Sequence, residues 1–262
     1  MLKRDKYLDQ LIEVKDLNLI KVITGVRRCG KSTLLLQYKD YLLENGIKDS
    51  DILYMSFESA EWYEIKDYKD LYNYIKSKYH DKKVYLLLDE VQNVEDWEKA
   101  VNSLLVDINC DIYITGSNAY LLSSELTTLL AGRVYTINMY PFSFSEYLQI
   151  NNNTNSQDKY QLFNDYLKYG GMPMLINMKD NERLKTNYLA DIKDVVLKKD
   201  IIARNKIKDV IFLDNLLRYM STVIGTLINP SFISDFMKKN GSNIDNETVD
   251  KYLKMIENAL ME

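Results

Sequence analysis

Short apolar runs alternate along the first half of the chain with segments whose apolar positions recur at helical spacing. The runs at 19–24, 51–57, 84–89, 112–115 and 134–139 predict strands, and the segments 31–44, 68–78, 97–106 and 119–130 predict helices. Strands that alternate with helices imply βαβ units and a parallel sheet covered on both faces, with ligands at the C-terminal strand ends. From 151 to 156 the chain reads Asn-Asn-Asn-Thr-Asn-Ser, uncharged and without period, so an exposed linker is expected there. Beyond it the patterns are helical, at 159–169, 181–198 and 209–224.

The first predicted strand runs into Gly25, Val26, Arg27, Arg28, Cys29, Gly30, Lys31, Ser32 and Thr33, and a helix opens directly after. This is the G-x-x-x-x-G-K-[ST] pattern in the strand-to-helix context that it needs. Its glycines let backbone N–H groups turn inward around phosphate oxygens, the helix N-terminus adds partial positive charge, and Lys31 reaches the outer phosphates. Ser32 is then placed to bind Mg²⁺. Arg27 and Arg28 either touch phosphate or a neighbouring chain, or are exposed loop charges.

About 60 residues on, the apolar run 84–89 ends in Asp89 and Glu90. Two acids at the end of a buried strand fit a pair in which Asp89 holds Mg²⁺ through water and Glu90 polarises the water that attacks the γ-phosphate. The strand at 112–115 continues into Gly116, Ser117 and Asn118, small polar groups that either orient water and sense the γ-phosphate or cap the following helix. Arg133, before the fifth strand, is either an arginine finger or a cap on helix-terminal carbonyls. Six of the nine glycines (25, 30, 116, 132, 170 and 171) lie in these motifs or in Gly170-Gly171-Met172-Pro173, which supports one integrated nucleotide site.

Composition narrows the picture. A chain of 262 residues can hold two cores, and a formal charge of -4 leaves no global basic footprint, so a DNA client would need a local patch; a protein client is equally compatible. Two cysteines, Cys29 and Cys110, are too few for a disulfide framework or a zinc site, and a reducing cytoplasm is the expectation. His80 is the only histidine, which excludes a histidine-rich metal site. No apolar stretch approaches the roughly 20 residues of a membrane span, and no signal peptide is expected. The 21 tyrosines read as having no basic interleaving or regular spacing, so core and interface packing is expected of them rather than base stacking.

Taken in order, Gly25 to Thr33, Leu86 to Gln92, Ile114 to Asn118, Leu130 to Arg133 and Gly170 to Pro173 resemble the G-V-R-R-x-G-K-S-T, L-L-L-D-E-V-Q, I-T-G-S-N, L-A-G-R and G-G-M-P motifs of a prokaryotic AAA-like ATPase family. Members normally continue into a winged helix and a nuclease-like domain of unknown function. The resemblance implies an α/β P-loop NTPase of sheet order 5-1-4-3-2 at 1–156, a helical lid at 157–219 and a winged-helix-like segment at 220–262. It implies a cytoplasmic Mg²⁺-dependent ATPase in which Lys31, Ser32, Asp89 and Glu90 keep the roles above, Ser117 or Asn118 is the sensor, and Arg133 is a finger acting in trans in a homo-oligomer. Residues 231–239 and 246–260 resemble the helix-turn-helix of the winged helix, and the chain is expected to be a truncated form. Four lysines against six acids from Ser231 to Glu262 speak against groove reading by this segment. The alternative is a nucleotide-gated DNA-processing or defence protein whose effector chemistry lies in a further domain.

Overall fold

A computed structural model describes residues 2–79, 82–116, 130, 132–151, 159–178, 181–203, 205–239, 244–257 and 259. It divides into two compact units, Met1–Thr186 and Asn187–Glu262.

The first unit is built on five parallel strands, β1 (Ile20–Thr24), β2 (Ile52–Ser56), β3 (Val84–Asp89), β4 (Cys110–Gly116) and β5 (Val134–Asn138), in the order β2-β3-β4-β1-β5. This is the order that the family resemblance implies. All of β1 and β3 is buried, because helices cover both faces of the sheet and leave no solvated side for polar alternation. Alternate side chains serve opposite layers. Leu86, Leu88, Ile112 and Ile114 pack with α3 (Tyr68–Lys78) and α4 (Trp97–Asp107), whereas Tyr85, Leu87, Tyr113 and Ile137 pack with α1 (Asp5–Glu13) and α2 (Lys31–Glu44).

The expected strands are found within two residues, and α2 and α3 have the expected bounds. Two helices were not expected: α1, and α5 (Phe144–Asn151). In α1 the buried Tyr7, Leu8 and Leu11 are diluted by four charged neighbours, which hides the apolar stripe in the sequence. The helix expected at 119–130 falls almost wholly outside the described residues. Contrary to the expectation of no basic interleaving, lysines alternate with tyrosines along α3, and Lys76 and Lys78 lie over the rings of Tyr72 and Tyr74; both tyrosines pack against the core, as expected of them.

The second layer also contains charge. Lys21, fully buried in β1, reaches Asp111 in β4 at 2.5 Å and the Leu17 carbonyl at 2.6 Å. Asp111 also accepts from the Asp16 amide at 2.8 Å and the Tyr113 hydroxyl at 2.9 Å, and Tyr113 pairs with Tyr38 of α2 at 2.5 Å. Burial first, and Asp111 second, push the Tyr113 phenol far above its ordinary range, so it stays a donor.

After α5 come α6 (Lys159–Tyr169) and the Gly170–Pro173 turn, both in the first unit, so the stretch 157–219 is shared between the units. What ties the turn down is Gly171, whose carbonyl accepts from the Phe142 amide at 2.8 Å; a Cβ there would stand 2.0 Å from the Phe142 carbonyl oxygen. Helix α7 (Glu182–Val195) leads into wider π-type turns at Val196–Ala203. The second unit continues with α8 (Val210–Thr222), capped by Asp209, then α9 (Pro230–Lys239) and α10 (Asn246–Glu257), which pack together. These last two are helices in the stretch where a helix-turn-helix was expected, and the Gly241 turn lies outside the described residues. Among the described residues no strand follows Asn138, and no helix is long and apolar enough to cross a membrane.

Candidate functional site

The loop from Gly25 to Gly30 joins the C-terminal end of β1 to α2. Gly25 has a φ of 154°, and a Cβ on it would lie 2.2 Å from the Met139 carbonyl oxygen, so the loop packs on the backbone after β5 only because this residue is glycine. Gly30 is the N-cap of α2. The Cys29 side chain is wholly buried in the α1/α2 layer, where burial pushes its thiol pKa up. Val26, Arg27 and Thr33 are half-buried and Arg28 is exposed.

Lys31 is 4% exposed, and its ammonium donates to the carbonyls of Gly25 at 2.9 Å and Val26 at 3.3 Å. Glu90 lies 3.9 Å from it. Glu90 itself sits in the left-handed region at φ 54°, which turns the chain sharply off β3 and aims the carboxylate back toward the loop. A non-glycine residue held there costs on the order of 1–2 kcal/mol, which the surrounding contacts offset.

Asp89 is 2% exposed and is the best-supplied acceptor of the site. Its Oδ1 accepts from Ser32 at 3.0 Å and Thr115 at 2.5 Å, and its Oδ2 from Tyr54 at 3.2 Å and Ser56 at 3.3 Å. Thr115 also accepts from the Glu90 amide at 3.0 Å, so one buried hydroxyl near the end of β4 holds both Asp89, which ends β3, and the Glu90 that follows it. Burial first, then the charge on Asp89, push the Tyr54 phenol pKa up to about 12, so Tyr54 remains a donor. Gln92 of the following turn donates through Nε2 to Glu90 Oε2. Ser32 and Asp89 are hard oxygen ligands on one side of the loop, a donor set that suits a small divalent cation carrying phosphate and water as its other ligands.

Beside Gly30 and Thr33 opens a cleft of about 740 Å³, walled by Leu2, Met139, Phe142, Pro173 and Met174. Its size and apolar lining are those of a small-molecule site. Arg4, 3% exposed, pins the N-terminal segment to it: the guanidinium pairs with Glu146 at 2.5 Å, donates to the Tyr140 carbonyl at 3.1 Å and lies between the rings of Tyr7 and Phe142.

Lys31, Ser32, Asp89 and Glu90 are therefore brought together. Arg133 is not among them: its carbonyl accepts from the Ile20 amide at the start of β1, about 16 Å of strand from Gly25 at the other end. The guanidinium is exposed. Ser117 and Asn118 lie outside the described residues. Thr115, Tyr54, Ser56, Gln92 and Arg4 carried no assigned role in the sequence reading. Ser56 ends β2 in register with Asp89, a relation visible only once β2 is known to neighbour β3.

Comparison with known proteins agrees with this geometry. The profile of a family described as AAA domain matches residues 17–148, and a domain of unknown function matches 160–261. An uncharacterized protein of Haemophilus influenzae is 45% identical over this entire chain, which covers 66% of it, and the uncharacterized protein MJ1544 of Methanocaldococcus jannaschii is 30% identical over 99% of this chain and 59% of its own length. The chain thus spans about two thirds or less of these relatives. Among solved structures, the Walker-type ATPase PABY2304 of Pyrococcus abyssi superposes with a TM-score of 0.66 at 15% identity, over 99% of this chain and 90% of its own. The ORC2 protein of Aeropyrum pernix gives 0.53 at 12% identity, over 97% and 83%. A parallel sheet of order β2-β3-β4-β1-β5, a glycine-bounded loop feeding α2 and a profile spanning half the sequence lead to one assignment: this chain has the P-loop NTPase fold and belongs to the AAA-domain family.

Proposed function

We propose that this chain binds Mg²⁺–ATP and hydrolyses its β–γ phosphoanhydride, and that the cycle drives rearrangement of the helices after Asn151. The observation that carries the reading is the convergence of Lys31, Ser32, Asp89 and Glu90 at the ends of β1 and β3. Lys31 exchanges the loop carbonyls for the outer phosphates, and the N-terminus of α2 supplies N–H donors to them. Ser32 and Asp89 hold the cation, which supplies charge neutralisation on the phosphates. Glu90 takes a proton from the attacking water. The cleft beside Gly30 and Thr33 is of a size and apolarity to take the base. ATP rather than GTP is chosen because the Pyrococcus abyssi structure carries the name of an ATPase.

Arg133 acts on a neighbouring copy in this reading, since its place at the opposite end of β1 keeps it from its own loop. Arginine fingers contribute about 10³–10⁵ in rate.

The test combines nucleotide titration with phosphate release. Lys31→Ala should lose nucleotide binding, while Glu90→Gln should bind normally and stop turning over; full turnover by Glu90→Gln would remove it as the base. The same assay on mixed Arg133→Ala and Lys31→Ala chains should recover activity that neither shows alone. No recovery in mixtures shown by mass to co-assemble would remove the trans role.

A further inference from the structure

Gln92 has two polar ends, and only one of them has structural work. The turn Val91–Asn93 that follows the left-handed Glu90 folds the Gln92 side chain back, so that its Nε2 donates to Glu90 Oε2. An ionised carboxylate can only accept, so the amide must present its NH₂ end to Glu90, and this fixes Oε1 at the far end independently of how an amide is oriented by convention. That Oε1 is buried and has no hydrogen-bond partner among the described residues. Buried acceptors are rarely left unpaired, and those that are call for an explanation. Had Gln92 served only to close the turn, an apolar residue of its size would do so without a stranded carbonyl oxygen.

Resting on the hydrolytic reading above, we infer that Gln92 is a positioning residue for the attacking water. Nε2 holds Glu90 in place after Lys31 has turned to the phosphates, and Oε1 accepts a hydrogen bond from the same water whose other proton Glu90 receives. In the step itself the water oxygen bonds to the γ-phosphorus, and the bond from that phosphorus to the β–γ bridging oxygen breaks. The bonding pair leaves on ADP. One water proton passes to Glu90 and from there to the released phosphate; the second stays on the oxygen held by Gln92. Two acceptors at a fixed separation orient a water that one carboxylate alone would leave free to rotate.

The decisive variant is Gln92→Leu, which keeps the bulk and removes both polar ends, with Gln92→Ala beside it in case the branched side chain misfits. With Mg²⁺–ATP as substrate, kcat should fall by about 10–100-fold, on the scale of mispositioned general-base catalysis. KM and the affinity for a non-hydrolysable ATP analogue should stay within about twofold. Because the substitution deletes a stranded acceptor, the urea midpoint should be unchanged or higher, which a purely structural role would not give. Turnover within twofold of the parent in both variants overturns the assignment, and so does a loss of turnover that tracks a lowered midpoint. If the parent chain binds nucleotide but releases no phosphate, the hydrolytic reading falls and Gln92 falls with it; if the parent hydrolyses and Gln92→Leu does too, only the role of Gln92 is lost.

Discussion

Replacing Thr115 by Val tests whether one hydroxyl organises the whole acidic corner. The two side chains have nearly the same shape, so what is lost is the oxygen that donates to Asp89 at 2.5 Å and accepts from the Glu90 amide at 3.0 Å. Asp89 keeps three other donors, Ser32, Tyr54 and Ser56, so the loss there belongs at the low end for a hydrogen bond to a charged group, about 1.5 kcal/mol. The Glu90 amide loses the acceptor that Thr115 offers it, an ordinary neutral hydrogen bond of about 0.5–1.5 kcal/mol. Together these give roughly 2–3 kcal/mol, or about 0.7–1 M in urea midpoint for a slope of about 3 kcal/mol/M. The measurement is convenient because both tryptophans, Trp62 and Trp97, pack on the core layer of β3, so their fluorescence reports the unit that holds the site. Thr115→Ser retains the hydroxyl and drops one methyl, and should lose only about 1 kcal/mol. A Thr115→Val midpoint within about 0.3 M of the parent, or a Ser variant as weak as the Val variant, would refute the bridging role.

Gly171→Ala drives a Cβ to 2.0 Å from a backbone carbonyl that cannot rotate away, so Phe142 and the Gly170–Pro173 turn must part. Overpacking of this kind costs about 1–3 kcal/mol, and the cleft wall they share should loosen with it; equal thermal stability and equal nucleotide affinity would contradict the packing. Lys21→Met leaves Asp111 buried without its counter-charge and should cost about 3–5 kcal/mol, whereas Lys21→Met combined with Asp111→Leu should recover most of it. Equal urea midpoints for the single and double variants would show that the pair is not coupled.

How much of this was legible beforehand depends on how local the cause is. Gly25, Gly30, Lys31 and the acids ending β3 are readable because the loop needs glycine within a few residues of a strand and a helix, and because a fully buried strand must be a continuous apolar run. The donors around Asp89 are another matter. Thr115, Tyr54 and Ser56 come from β4 and β2, and their relation to Asp89 exists only through strand order and register. Arg4 gave no signal, since a charged residue among charged residues becomes a buried clamp only when Phe142, far along the chain, closes on it opposite the neighbouring Tyr7. For Arg133 the sequence left finger and cap open, and it was the pairing of its carbonyl with Ile20 that put it at the far end of the sheet.

The Lys21–Asp111 pair gives the sheet a means of rejecting its own misassembly. β1 lies beside β4 although β2 and β3 precede β4 in the chain, so a forming sheet meets two wrong neighbours before the right one. β2 carries no charged residue, and β3 has its single acid at the opposite end from Lys21. Docking β1 against either would seal an ammonium group in the interior with no carboxylate to meet it, and so would β4 shifted along its axis, which carries Asp111 away. Both errors forfeit the charge pairing that makes burial of Lys21 tolerable. Two residues that touch no ligand thus act as an address written into the strands, and the phosphate loop inherits its place at the end of β1 from that address.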